Sequence, residues 1–260
     1  MTRWMAILLL SLATLPAAAR ETVTFPAEDG LEVTATLYQG YRDDLVVVAF
    51  HQAGSSSGEY LGIAPRLADR GITTLAVDLR SGKEFLTVTN ETAERAAEQG
   101  LKQNYTDAIP DMLAALRYAK QELNAEQIIA MGSSYSAGLS LILAGRHADL
   151  IDGVMAFSPG EYFGYQPSVG AEAERVEQPV LITSAAGETQ RWEEIFQALP
   201  RDDRKVAFRP QQGRGAHGAS ALMPRRSDIA QDYWNWIDYY LERFFPYFGP
   251  VPEKAQRPNP

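Results

Sequence analysis

Cysteine is absent from all 260 residues. That excludes disulfides, a thiolate nucleophile and a lipid-modified cysteine. Histidine is nearly as scarce, with only His51, His147 and His217. Cations are in the minority, 24 Lys and Arg against 33 Asp and Glu, giving a formal charge of −9. Such a balance argues against nucleic acid or an anionic membrane surface as a partner. Beyond the first 20 positions there is no long uncharged apolar run.

The opening segment, "MTRWMAILLLSLATLPAAAR", has one cation, Arg3, before an apolar stretch that ends at Pro16 and three alanines. This is the pattern of a secretory signal peptide cleaved after Ala19. The stretch falls short of the ~20 residues a bilayer span needs. The expected organisation is a signal peptide over 1–19, one domain over 20–248 and a Pro-rich tail over 249–260. The expected product is exported, periplasmic or secreted, with no stable membrane insertion after cleavage.

Within the domain, "ETVTFPAEDGLEVTATLYQG" alternates apolar and polar residues around Glu28-Asp29-Gly30, which predicts an antiparallel hairpin. "DLVVVAFHQAG", "ITTLAVDL", "EQIIAMG", "IDGVMAFSP", "PVLITSA" and "KVAFRP" are short apolar runs of the kind buried on both faces of a sheet. Helical spacing separates most of them, for instance in "NYTDAIPDMLAALRYAKQEL", with Ile109, Met112, Leu113 and Leu116 on one face. Alternating strands and helices predict an α/β fold, a mostly parallel sheet covered on both sides. A last helix, "SDIAQDYWNWIDYYLERFF", is expected to turn Tyr233, Trp236, Tyr240 and Phe244 to the core.

"MGSSYSAG", residues 131–138, follows the strand "QIIA" and precedes the helix "LSLILA". A nucleophile elbow needs a buried strand, a sharp strained turn and a helix, with the nucleophile on the turn. Gly132 begins that turn, so two residues on, Ser134 is the candidate nucleophile. Ser133 precedes the apex, and Ser136 would put the turn inside the helix. The second glycine of G-x-S-x-G is missing, since Ser136 occupies its place. A serine hydroxyl needs a base, and the order of elements puts His217, in the Gly-rich loop "GRGAHGASAL", in that role. His147 closes a helix. His51, at the end of the third strand, is expected to brace its loop. A carboxylate must orient the imidazole. Glu188, the first acid after "PVLITSA", is the candidate, with Glu161 in "SPGEYF" as the fallback, while Glu193 and Glu194 are expected to face solvent. Backbone N–H groups for a developing oxyanion are expected from Tyr135 and from Ala53, with Gln52 next in line.

Taken together, "VVVAFHQAG", "TTLAVDLRSG", "IIAMGSSYSAG", "PVLITSAAGE" and "GAHGASAL" resemble the α/β-hydrolase fold family, specifically its dienelactone-hydrolase-like and prolyl-oligopeptidase-like serine hydrolase branches. The resemblance runs from about Thr22 to Phe245. A dienelactone hydrolase proper uses a cysteine, which is lacking here. The resemblance implies no metal and no organic cofactor. The expected function is hydrolysis of an ester, thioester or related acyl bond in a small-molecule substrate through an acyl-enzyme. The segment "GEYFGYQPSVGAEAERVEQ" is a short cap, in which Tyr162, Phe163 and Tyr165 are pocket-lining candidates. Two rivals stand beside this reading: a peptidase of the same fold, and a binding protein that has kept the fold without catalysis.

Overall fold

The computed structural model describes residues 20–164 and 168–250. The expected signal peptide and the end of the Pro-rich tail lie outside them, as does Tyr165.

The hairpin forms as its alternation requires. β1 (Arg20–Pro26) pairs antiparallel with β2 (Glu32–Tyr38), from Arg20 opposite Tyr38 to Pro26 opposite Glu32. Gly30, at φ +85°, supplies the left-handed residue of the turn. The other strands are β3 (Leu45–Phe50), β4 (Thr73–Val77), β5 (Gln127–Ser133), β6 (Gly153–Phe157), β7 (Val180–Thr183) and β8 (Lys205–Phe208). They form one eight-stranded sheet in the order β1-β2-β4-β3-β5-β6-β7-β8. β2 meets β4 antiparallel, and every later pairing is parallel.

Burial on both faces explains the continuous apolar runs. In β3, Val46, Val48 and Phe50 join one apolar cluster with Met112 and Leu116 of α3 (Ile109–Gln121) and Leu139 of α4 (Tyr135–Arg146). The alternate residues Leu45, Val47 and Ala49 join the other, with Leu67 of α1 (Ala64–Ala68) and Trp234 and Tyr240 of α7 (Ala230–Phe244). Period-two alternation thus feeds two layers of helices from a single strand.

Two elements differ from the sequence expectation. The buried stripe of α7 is Tyr233, Trp234, Ile237, Tyr240 and Leu241, whereas Trp236 and Phe244 sit at its margins, partly exposed. Trp234 is preferred inside because its indole N–H donates to Leu222 O at 2.9 Å and its ring face carries the guanidinium groups of Arg66 and Arg70. The second is α2 (Glu91–Glu98), which the apolar pattern did not announce, because its buried side chains are only Thr92, Ala93 and Ala96. Asn90 caps it by accepting from Ala93 N at 2.8 Å. Among the described residues no helix is long and apolar enough to cross a membrane.

The order of strands decides where a site can form. β3 lies between β4 and β5, so the chain, having built β4 on one side of β3, crosses back to place β5 on the other. Such a reversal opens a crevice beyond the carboxyl ends of the two central strands. The end of β4 is held by Arg80, which is 4% exposed and pairs with Asp111 of α3 and with Asp29 of the hairpin turn. Replacing Arg80 with Met leaves the fully buried Asp111 without its cation. Urea unfolding is expected to register a loss of about 3–5 kcal/mol, and a loss below 1 kcal/mol would show that the pair carries little.

Candidate active site

Residues at or after the ends of β3, β5, β6, β7 and β8 meet at the carboxyl end of the sheet. Ser134 follows β5 directly, with φ 61° and ψ −121°, and is 7% exposed. Such a conformation is unfavourable for a side chain with a Cβ and persists only when its surroundings enforce it. Three features enforce it. Ser134 N–H donates to Phe157 O of β6 at 2.8 Å, its carbonyl accepts from Ala137 N at 3.0 Å, and Gly132 leaves no room for a Cβ against the backbone of Ser136 and Ala137.

The absence of the second glycine has a structural account. Ser136 is fully buried, accepts from Ser133 N at 2.8 Å, and its hydroxyl lies 2.8 Å from Phe50 O and 2.9 Å from Ser133 O. The hydroxyl therefore ties the first turn of α4 to the end of β3, a bond that glycine does not offer.

His217 precedes a 3-10 turn over Gly218–Leu222. Its Nδ1–H donates to Glu188 Oε1 at 2.7 Å, which places the proton on Nδ1 and leaves Nε2 as an acceptor. Glu188 lies in the 3-10 turn Ala186–Arg191 behind β7. Burial alone raises its carboxyl, but hydrogen bonds from His217 and Ser158 with the nearby positive charge outweigh burial and hold it below the ordinary value. The fallback acid is elsewhere. Glu161 accepts from Val169 N, Gly170 N and the Ser168 hydroxyl, capping α5 (Val169–Ala173). Glu193 and Glu194 open α6 (Glu193–Ala198), where Glu193 pairs with Arg209 and Glu194 is exposed.

The loop after β3 is anchored at several points. His51 is buried, its Nδ1–H donating to Gln52 O and its Nε2 accepting from Leu79 N at 2.9 Å. Burial lowers its pKa to about 4, so it is a neutral brace. Asp78 accepts from Ser57 N, and Asn90 donates to Ser55 O. Gln52 N–H is also spent, donating to Glu59 Oε2 at 2.8 Å. Ala53 is exposed, and its N–H, like that of Tyr135, has no acceptor among the described residues. Tyr135 itself is buried, its hydroxyl 2.6 Å from that of Ser81 and its ring stacked on Tyr105. Of the cap aromatics, Tyr162 donates to Ser158 O and packs edge-on against Phe163, both partly within the core.

Sequence reasoning missed three contributors. The Ser158 hydroxyl donates to Glu188 Oε2 at 2.8 Å and accepts from Gly218 N at 2.9 Å. The Ser133 hydroxyl donates to Glu59 Oε1 at 2.8 Å and accepts from Ala219 N at 2.9 Å. Glu59 is 0% exposed, and burial raises its pKa to about 7 against the hydrogen bonds that favour its charged form. Ser158 carried one usable signal, a polar residue at the carboxyl end of a parallel strand.

The serine aminopeptidase S33 family profile matches residues 42–181. The chain belongs to this family of serine hydrolases. Its fold is shared with solved α/β-hydrolases of low sequence identity. An esterase of Pyrococcus furiosus is 15% identical, with a TM-score of 0.67 over 87% of this chain and 93% of that one. A dienelactone hydrolase of Anabaena variabilis is 14% identical, with a TM-score of 0.67 over 88% and 99%. An acylaminoacyl peptidase of Pyrococcus horikoshii is 16% identical, with a TM-score of 0.64 over 92% of this chain but 44% of that one. No curated protein matches the sequence significantly.

The strained elbow and the buried Glu59 each have a consequence for stability. Removing the Ser134 side chain while keeping its Cβ retains the backbone strain, so Ser134→Gly should exceed Ser134→Ala in stability by about 1 kcal/mol, read by thermal unfolding. Equal stabilities would mean the elbow is not strained. Glu59 binds its proton more tightly folded than unfolded, so its contribution is present below pH 4.5 and lost as pH rises through about 7. Glu59→Gln should therefore remove up to ~3 kcal/mol of pH dependence across that window, and an unchanged slope would contradict the burial argument.

Proposed function

We propose that the protein is an exported serine hydrolase that cleaves an ester or related acyl bond of a small molecule. Ser134 attacks the carbonyl carbon while His217 Nε2 takes its hydroxyl proton. Glu188 holds the imidazole in the required tautomer and stabilises its charged form. The carbonyl oxygen, now negative, accepts from the N–H groups of Tyr135 and Ala53, each worth ~3 kcal/mol in the transition state. Collapse of the tetrahedral intermediate breaks the bond to the leaving group, which takes the proton from His217. Water, deprotonated by the same imidazole, then releases the acid and restores Ser134.

The observation that carries the reading is the coincidence of a strained serine with a tautomer-fixed histidine in a family of serine hydrolases. Two backbone donors without an acceptor among the described residues add to it. A small acyl substrate is favoured over a peptide because the cap between β6 and β7 supplies only the five-residue α5 among the described residues. More than half of the acylaminoacyl peptidase chain has no counterpart here. Export rests on the pattern of residues 1–19.

Kinetics on short-chain p-nitrophenyl esters and on aminoacyl p-nitroanilides test the proposal. Ester hydrolysis is expected, with kcat lowered about 10³–10⁴-fold or more in Ser134→Ala, His217→Ala and Glu188→Gln. Preference for the anilides would make the protein a peptidase. Activity on neither, from folded protein, would favour a binding role.

A further inference from the structure

His217 is followed by two backbone N–H groups, and each is received by a different serine that hands its own proton to a different carboxylate. Gly218 N donates to Ser158, which donates to Glu188. Ala219 N donates to Ser133, which donates to Glu59. Glu188 bonds the imidazole directly, whereas Glu59 stands behind the elbow with no cation paired to it among the described residues. Resting on the triad proposed above, we infer that Glu59 is a second carboxylate of this site, a positioning residue whose charge stabilises the imidazolium formed during acyl transfer.

Burial favours the protonated form of Glu59, and the hydrogen bonds around it oppose burial by favouring the ionised one. Three donors converge on the carboxylate: Gln52 N–H at 2.8 Å, Gln52 Nε2–H at 3.1 Å and the Ser133 hydroxyl at 2.8 Å. Nothing among these partners accepts a proton from it. The same three bonds join the oxyanion-side loop, the elbow and, through Ser133, the histidine loop. Gly218 shows how close the packing is. A Cβ at that position would overlap the Ser133 hydroxyl and stand 3.6 Å from Glu59 Oε1, and the residue sits at φ +64°. The titratable groups facing Glu59 are His217 from the loop after β8, Tyr135 from α4 and Tyr60 beside it. His217 in turn faces Glu188, which Arg191 approaches at 3.9 Å. Of these, only the imidazole changes charge during the reaction, so its developing cation is what a fixed negative charge at Glu59 acts upon. With a pKa of about 7, Glu59 supplies that charge from neutral pH upward.

The test is the pH profile for labelling of Ser134 by a fluorophosphonate, which needs an activated serine but no substrate. In Glu59→Gln the imidazole loses the stabilising charge. The rising limb is expected to move down by about one pH unit, and the plateau rate to fall about tenfold. Ser133→Ala removes a donor that favours the charged carboxylate, so Glu59 stays protonated to higher pH and that limb is expected to move down by a smaller amount. Graded downward shifts, larger in Glu59→Gln than in Ser133→Ala, are not produced by loosening alone, which lowers the rate without moving the limb. Wild-type labelling with limbs unmoved in both variants would overturn the role of Glu59 and leave the triad standing. If Glu59→Gln does not fold, an unmoved limb in Ser133→Ala overturns it. No labelling of the wild type overturns the triad and this inference together.

Discussion

A hydroxyl cannot stand at the end of a buried parallel strand unless the chain turns away sharply behind it. Continuing extended would carry it past the sheet, and starting a helix at once would bury it. The elbow at Ser134 resolves this with a backbone conformation unfavourable for serine, held by the close packing of Gly132 and by bonds to β6 and α4. The strain is sustained by the rest of the sheet. β3 and β6 flank β5, and Ser136 fastens the first turn of α4 to the end of β3. The reversal of strand order at β3 opens a crevice beyond the strand ends, where Ser134 stands 7% exposed.

Around that elbow the structure spends its polar groups in a consistent way. Donors that would stabilise a resting loop are used up: Gln52 N on Glu59, Ser57 N on Asp78 and Leu79 N on His51. Those of Ala53 and Tyr135 have no acceptor among the described residues. Loops braced at these points reorganise little as charge develops, which is what makes a preorganised donor effective. The two serine relays serve the same end on the histidine side. They fix Gly218 and Ala219 and so fix the imidazole one residue earlier.

Much of this was legible in the sequence because it depends on local pattern. Continuous apolar runs announced the doubly covered strands, and the hairpin followed from alternation around Gly30. The positions of Ser134, His217 and Glu188 at strand ends came from chain order, and the structure brings His217 and Glu188 into direct contact. What stayed hidden depends on tertiary contact. Glu59 sits in "GEYLGIA" like any polar residue at a helix start, and only packing shows it to be buried against Ser133. Ser133 looked idle because its partners lie 74 and 86 residues away. On α7, period alone did not separate Trp234 from Trp236; the cations of α1 and its neighbouring turn, stacked on Trp234, did. α2 was silent because alanine buries too little to mark a face.

An activated Ser134 forms an acyl-enzyme that can be trapped. Purified protein would be mixed with a slowly turning-over activated ester, quenched in acid and digested, and the adduct located by mass spectrometry. An acyl group is expected on Ser134, accumulating in Glu188→Gln more slowly than in the wild type and never forming in Ser134→Ala. An acyl group on Ser133 or Ser136, or turnover in Ser134→Ala at the wild-type rate, would contradict Ser134 as the nucleophile.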